Sequence, residues 1–417
     1  MIDILAAREA RYALIKAIDF NEVNVIVIKA NIPGPNKNLS LAYLLTNIFK
    51  NLVCRMIAVR DVSFYDGSDG PYYILKINKD NIKDKLIALE ESHPLGRFID
   101  LDLFINQDHS LSRIDIGRGF RKCMLCDRPA IQCVREQRHY PSEIIDIIDK
   151  QFKVFFADSL QAMINKAMLL ELNLEDKFGL VTPSSNGSHQ DMDYQLMRTA
   201  IDVIIPDLVS MGMVALSNPN LIEVYQKAKT IGIATEEKML AATAGVNAYK
   251  GLIFILGLAI ISAIHTLINC GSIDDIYANV QKMTYDKLNE DKINTFGEYA
   301  YDKFQFTGAR GEAMAGLPTV RKVSDFLQAQ AAINNQVLSM ALIAAIRDSE
   351  DSVLLKRAGS MERYLYFKKR IAGIKTYNLH KIKEVTEECI DNNISCGGAA
   401  DILITALFIN EFINLFW

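Results

Sequence analysis

The spacing of apolar and polar positions changes about a third of the way along the chain. In the first third, short apolar runs are separated by turn residues. Val23–Ile28 reads as a buried strand and runs into Asn31-Ile32-Pro33-Gly34-Pro35-Asn36-Lys37, a Pro/Gly turn. Leu41–Val53 has helical apolar spacing. Tyr72–Ile77 reads as another strand and Asp80–Glu91 as a helix. Phe98–Ile105 alternates apolar and acidic positions, as a half-buried strand does. This pattern predicts an α+β domain. After about Ser142 the strand signals nearly vanish. Helices are predicted over Ser159–Leu172, Asp191–Ile205, Leu221–Ile231, Glu236–Ala244, Gly251–Ile268, Val320–Arg347 and Ala399–Phe416. The second part therefore reads as an all-α bundle. The boundary falls near residue 150, giving domains 1–149 and 150–417, with no internal repeat.

Composition narrows the class. A chain of 417 residues exceeds one ordinary core, which also argues for two domains. Half the residues are hydrophobic and 23% are charged, as in a folded soluble protein. The net charge of −4 gives no electrostatic case for nucleic acid. Seven Cys in this length do not make a disulfide scaffold, so a reducing, cytoplasmic setting is expected. Asp3, Arg8 and Glu9 make the first ten residues unlike a signal peptide. Gly251–Asn269 is almost wholly apolar and about long enough to span a bilayer. Polar motifs flank it and no second clear span accompanies it. The reading is a buried central helix, no membrane, and His265 as a hydrogen-bonded core histidine.

The first domain offers three pieces of chemistry. The strand–turn–helix at Asn31–Lys37 can present backbone N–H groups to phosphate, with Lys37 adding a charge. Asp100 and Asp102 are two apart on a strand and so share a face. Such a pair can bind a divalent cation (Mg2+); the alternative is a solvated polar face over buried Leu101 and Leu103. Cys123, Cys126, Cys133 and His139 are spaced C-x2-C-x6-C-x5-H, which suits tetrahedral zinc, a buried thiol cluster or a redox pair.

These segments carry a resemblance. Ala7-Arg8-Glu9-Ala10-Arg11, Asn31-Ile32-Pro33-Gly34 with Lys37, Glu91–Arg97 leading to Asp100-Leu101-Asp102, and Arg121-x-Cys123-x-x-Cys126 with Cys133, Arg135 and His139 resemble the apo-citrate lyase phosphoribosyl-dephospho-CoA transferases. The resemblance covers nearly all of residues 1–145 and implies a nucleotidyltransferase-like fold. It also implies a reaction. A serine hydroxyl of the citrate lyase acyl carrier (gamma) subunit attacks the α-phosphate of triphosphoribosyl-dephospho-CoA, and pyrophosphate leaves. A metal on Asp100 and Asp102 would neutralise the leaving group, with Lys37 and Arg97, and less strongly Arg121, contacting phosphates.

The second domain opens on Asn186–Tyr194, which gathers His189, Asp191 and Asp193 before a helical run. Ser188 and Asp191 fit a capping box. Residues two apart diverge on a helix, so Asp191 and Asp193 chelate one ion only if they lie in an irregular first turn. Glu236 and Glu237 read as acids at a helix start. Asn247, Lys250 and Gly251 precede the apolar helix. Gly308–Ala313 combines glycines with Arg310 and Glu312. Gly397 and Gly398, with Asp401, open the last helix, where N–H groups can meet an anion.

Together with Gly179-Leu180-Val181, Met239 and Ala242-Thr243, these segments resemble triphosphoribosyl-dephospho-CoA synthases over roughly 170–410. That family joins the 2′-hydroxyl of 3′-dephospho-CoA to the ribose C1′ of ATP and releases adenine. The resemblance implies a bifunctional enzyme using small-molecule nucleotides. Asp191 and Asp193, then Glu236 and Glu312, are the candidate metal or base groups. Lys250 and Arg310 are candidate phosphate holders, with His189, Asn247, Gly397, Gly398 and Asp401 in the substrate site. Departures are Ala248 and Tyr249 where the family has Thr and His, Val353 and Ala358 in place of Asn and Gly, and Cys396 in place of Pro. They leave open a synthase half that only binds ligand or carrier. Service to a malonate decarboxylase carrier is a further alternative.

Overall fold

The computed structural model describes residues 4–285, 300–301 and 303–417, so Asp3 of the charged N-terminus lies outside the described residues. It divides into two compact units, Met1–Phe156 with Asn414–Trp417, and Ala157–Ile413.

The first unit has a five-stranded antiparallel sheet in the order β2-β3-β1-β4-β5. The strands are β1 Asn24–Ala30, β2 Val59–Tyr65, β3 Tyr72–Ile77, β4 Ile99–Phe104 and β5 Ser110–Leu111. The β-branched run NVIVIKA takes the central place because both its faces are covered. Val25 and Val27 pack with Phe20, Tyr72, Ile74, Phe104 and Ile15, the last from α1 (Ile4–Lys16). Ile26 and Ile28 point the other way and are fully buried. On that face α2 (Ser40–Met56) packs on β1, and the Tyr73 hydroxyl donates to Asn47 at 2.8 Å. The helix α3 (Lys83–Ser92) packs on β4. Neither α1 nor β2 was evident in the apolar pattern. The edge strand β2, VRDVSFY, buries no residue fully, so it has no core-facing stripe to read.

The second unit is helical. Three elements differ from the sequence pattern. The segment ending at Leu172 belongs to a longer helix, Pro141–Leu172. Leu221–Ala242 is one helix, because Gly232 at its middle packs against Met211 without breaking it. Glu236 therefore lies in the C-terminal half of that helix and does not open one, so dipole complementation does not explain it. Val320–Arg347 is two helices, Pro318–Gln328 and Asn335–Asp348. Asn334 starts the second by accepting the Val337 amide at 3.0 Å.

Lys250–Ile268 is apolar all round because Tyr194–Ser217, Leu221–Ala242 and Ile273–Thr284 enclose it. Three described helices, these being Tyr194–Ser217, Lys250–Ile268 and Gly397–Phe416, are long and apolar enough to cross a membrane. The expectation of a single such segment is corrected on that point. In the latter two, 78% of the most apolar window is buried in the fold. His265 is only half-buried, with the Asn269 amide 3.4 Å from Nε2.

Candidate active sites

In the first unit the polar site grows from sheet register. Asp100 stands opposite Lys29 and Asp102 opposite Val27, so both carboxylates rise from the face that α1 partly covers. Asp69, in the loop before β3, is buried and collects three cations: Arg8 at 3.2 Å, Arg11, and Lys29 at 3.6 Å. Burial lowers the Lys29 ammonium below its ordinary range, and Asp69 opposes the shift. Lys37 is lowered for the same reason, with Arg8 adding repulsion; its ammonium donates to the Ile32 carbonyl. The Asp102 carboxyl still reaches solvent in part. The protein around it, and then Asp100, push it up to about 6, against the pull of Lys83.

Arg121 pairs with Asp100 and donates to the Ile99 and Gly96 carbonyls at 2.6 and 2.9 Å. Arg97, a candidate phosphate contact, instead turns its guanidinium to the Cys123 carbonyl. The ligand atoms of Cys123, Cys126, Cys133 and His139 all lie within 4.8 Å of one another.

In the second unit a cleft of about 170 Å³ collects residues from segments far apart in sequence. His189, Asn247, Lys250, Glu312, Gly397, Gly398 and Asp401 all line it. The N-terminal turns of Lys250–Ile268 and Gly397–Phe416 both open into it, which gives it the partial positive charge of two helix starts.

His189 is clamped. Its Nδ1 faces Arg357 Nη2 at 2.8 Å and its Nε2 faces Ser395 Oγ at 3.0 Å. Arginine only donates, so Nδ1 accepts and the proton sits on Nε2. Burial, then the Arg357 charge, lower the imidazole to about 4, so it is neutral near pH 7.

The two aspartates of the opening motif sit differently. Asp191 is exposed, 4.0 Å from His189 Nδ1. Asp193 is the N-cap of Tyr194–Ser217 and accepts the Leu196 amide at 2.7 Å. The capping box proposed for Ser188 and Asp191 is thus corrected. Ser188 is buried and donates to the Ile394 carbonyl, because the helix begins six residues later. Neither Asp191 nor Asp193 lines the cleft. Glu236 pairs with Lys250. Asn247 Oδ1 accepts the Lys250 amide at 3.1 Å. Glu312 accepts the Thr319 and Val320 amides at 2.6 and 3.2 Å, starting Pro318–Gln328, and burial raises its carboxyl. Arg310 lies on Gly308–Met314 outside the cleft lining.

Comparison with known proteins matches two family models to this chain. The apo-citrate lyase phosphoribosyl-dephospho-CoA transferase model matches residues 1–155, and the ATP:dephospho-CoA triphosphoribosyl transferase model matches residues 157–417. The chain belongs to the ATP:dephospho-CoA triphosphoribosyl transferase family. It is a fusion, with the apo-citrate lyase transferase domain ahead of the triphosphoribosyl transferase domain, and it is a transferase. Among its relatives, Protein CitXG of Leuconostoc mesenteroides subsp. cremoris is 30% identical over 99% of this chain and 97% of that protein. Protein CitXG of Haemophilus influenzae is 27% identical over 98% of this chain and 95% of that protein. A probable 2-(5''-triphosphoribosyl)-3'-dephosphocoenzyme-A synthase of Vibrio cholerae is 31% identical over 60% of this chain and 87% of that protein.

The cleft of this triphosphoribosyl transferase domain also holds groups that sequence reading passed over. Lys177 and Glu171 form a fully buried pair at 2.8 Å beside it. Asp351 is buried and caps two helices. Its Oδ1 accepts Val353 and Leu354 amides at 2.9 and 3.0 Å, and its Oδ2 accepts the Ala399 amide at 3.0 Å. The anion at the Gly397–Gly398 helix start is thus the protein's own carboxylate, which corrects the picture of that start as vacant for phosphate. A Cβ at Gly398 would come within 2.9 Å of Asp351 Oδ1, so the close approach requires glycine. Gly251 has the same role for Asp401, whose Oδ2 would lie 2.3 Å from a Cβ there. Burial, then Asp351 and Glu171, raise the Asp401 carboxyl well above the usual range, which favours its protonated form. Tyr249, at the position of a family histidine, is buried with no hydrogen-bond partner for its hydroxyl among the described residues.

Proposed function

We propose that the chain makes 2'-(5''-triphosphoribosyl)-3'-dephospho-CoA and transfers it to a serine of the citrate lyase acyl carrier subunit. The synthase reaction falls to residues 150–417 and the transfer to 1–149. The observation that carries this reading is the convergence of His189, Asn247, Lys250, Glu312, Gly397 and Asp401 on one cleft. Such a set suits a ligand with a base, a ribose and a triphosphate. Lys250 and the start of its own helix, Lys250–Ile268, take the triphosphate, because Asp351 already occupies the Gly397–Phe416 start. In the synthase step the 2′-oxygen of dephospho-CoA bonds to ribose C1′ while the C1′–N9 bond of ATP breaks. Asp401 gives its proton to the departing adenine. The hydroxyl proton passes to a carboxylate, with Asp191 and Glu236 the nearest candidates at the mouth and Asp193 held back by its cap. Neutral His189 donates through Nε2 and orients Ser395. Arg310, on the helix whose Gly308 and Ala309 line the cleft, is a second candidate phosphate contact.

For the transfer, the reading takes the first unit as nucleotidyltransferase-like. The donor set of Asp100 and Asp102, two oxygens on one face with like-charge crowding that a cation relieves, fits Mg2+. That ion supplies charge neutralisation for pyrophosphate. Lys37, Lys29 and Arg8 supply the protein's own positive charge beside it. The nucleophile is the carrier serine, and the setting is cytoplasmic. Protein, ATP, magnesium and dephospho-CoA should release adenine in a one-to-one ratio with product. Adding apo-carrier should raise its mass by the prosthetic group and release pyrophosphate. Adenine release at background rate would refute the synthase reading, and modification of a malonate decarboxylase carrier in preference would redirect the transfer.

A further inference from the structure

The cysteine loop after β5 carries an inference beyond either reaction. Its four groups converge although they come from three places in the loop. Cys123 and Cys126 flank a tight turn, Cys133 is on the short helix Ala130–Arg135, and His139 follows it. Thiolates held about 2.3 Å from one zinc ion stand roughly 3.8 Å apart. Cys126 and Cys133 sulfurs are 3.5 Å apart, and all four ligand atoms fit within 4.8 Å. That is the size of a tetrahedral shell, and too long for a disulfide, whose sulfurs sit at about 2.05 Å. The Leu125 amide points at Cys123 Sγ from 3.5 Å, an N–H to sulfur contact that favours a thiolate there. His139 Nε2 is buried with no hydrogen-bond partner among the described residues. A buried ring nitrogen without a partner is costly, and a metal bond removes the cost.

We propose that Cys123, Cys126, Cys133 and His139 bind one zinc ion in a closed structural site, which holds Arg121 in place against Asp100. Four protein ligands leave no open position, unlike a catalytic zinc. The loop is closed on itself at its base and reaches β4 through the Arg121 side chain. The Ala130 amide donates to the Arg121 carbonyl at 2.8 Å, and the Cys123 amide donates to the Arg128 carbonyl at 2.7 Å. Arg97 reaches the Cys123 carbonyl, and Arg121 reaches Gly96, Ile99 and Asp100. Loss of the ion frees the Cys123–His139 turn and, with it, the segment that presents Arg121. Arg121 is thus a positioning residue acting through the carboxylate.

Metal analysis of the purified full chain tests this. Wild type and Cys54→Ser, outside the cluster, should each hold about one zinc. Cys133→Ser and His139→Ala should hold less than about a tenth as much, while His139→Cys, which restores a fourth ligand, should recover it. Cobalt added to stripped protein should give the absorption of a tetrahedral thiolate site, a readout that needs no activity. Chelator-stripped protein, with magnesium restored, should lose carrier transfer at least tenfold, keep adenine release, and regain transfer with zinc. Wild type that binds no zinc after reconstitution, or whose Cys126 and Cys133 are recovered as a disulfide, would overturn the site. Unchanged transfer after stripping would overturn the positioning role.

Discussion

The two units differ in how they hold the carboxylates at their candidate sites. In the sheet unit three buried or half-buried carboxylates have a cation at hand: Asp69 has Arg8, Arg11 and Lys29, Asp100 has Arg121, and Glu90 has Arg113. Asp102 differs: it is exposed, Lys83 donates to the Leu101 carbonyl instead of pairing with it, and its carboxyl is pushed up to about 6. In the helical unit Glu171 has Lys177, but Asp351 is answered by backbone amides and Asp401 is raised by burial. On the proposed function, the difference follows the chemistry each reaction needs. Displacing pyrophosphate calls for fixed charge and a cation site. Expelling adenine calls for a proton that is present at neutral pH and ready to leave. A solvated carboxylate cannot supply that proton, and burial next to other acids can.

The sharpest way to break the comparison is to swap carboxyl for amide at both places. Asp401→Asn keeps the shape against Gly251 and removes the proton donor, so adenine release should fall by about a hundredfold or more, while transfer of preformed substrate to apo-carrier persists. Asp102→Asn should do the reverse, with transfer down at least about tenfold and adenine release intact. The metal-free Asp102→Asn protein should also melt slightly higher than wild type at pH 7.5, because it removes a charge crowded against Asp100 on the same face. If either substitution lowers both activities equally, the assignment of one carboxyl to one reaction fails.

What the sequence revealed depended on the range of the interaction. Period-2 spacing sufficed to put Asp100 and Asp102 on one face, because strand geometry is local. Motif spacing likewise drew attention to His189, Lys250, Gly397 and Asp401, which the fold brings to one cleft. The choice between two capping patterns a few residues apart was not local. Ser188 looks like a cap, yet tertiary packing buries it under the Ile394 carbonyl and gives the cap to Asp193. Asp69 had no motif signal, since its role depends on cations from α1 and β1. Lys177 and Glu171 could not be paired from sequence either, because six residues apart at a helix end fixes no geometry. Asp351 was passed over as well, since its capping of a helix that starts at Gly397 is a long-range fact.

A smaller test concerns His189. Its folded pKa of about 4 lies below the ordinary 6.5, so between those values the unfolded chain binds more protons. The contribution from His189 is thus fully present above pH 6.5 and is lost as pH falls toward 4. His189→Gln should flatten the decline in Tm over that window relative to wild type. Arg357→Met should flatten it only in part, because burial is the larger cause of the shift and the Arg357 charge the second. An unaltered Tm–pH slope in His189→Gln would mean that the imidazole is not held neutral by the cleft.

The smallest expected effect separates the two aspartates of the His189 motif. Asp193 accepts one amide at the start of Tyr194–Ser217, so Asp193→Ala should cost about 1 kcal/mol of stability in denaturant unfolding. Asparagine caps about as well as aspartate. Asp193→Asn should therefore keep both stability and adenine release if the residue is only a cap. Should Asp193→Asn unfold normally but lose adenine release, the carboxylate itself takes part in the reaction, and its lone amide contact would then be the resting position of a group that turns to metal or substrate. Asp191 supplies the control on the same loop. It caps nothing and is well exposed, so Asp191→Asn should leave stability unchanged, and any loss of adenine release reports chemistry alone.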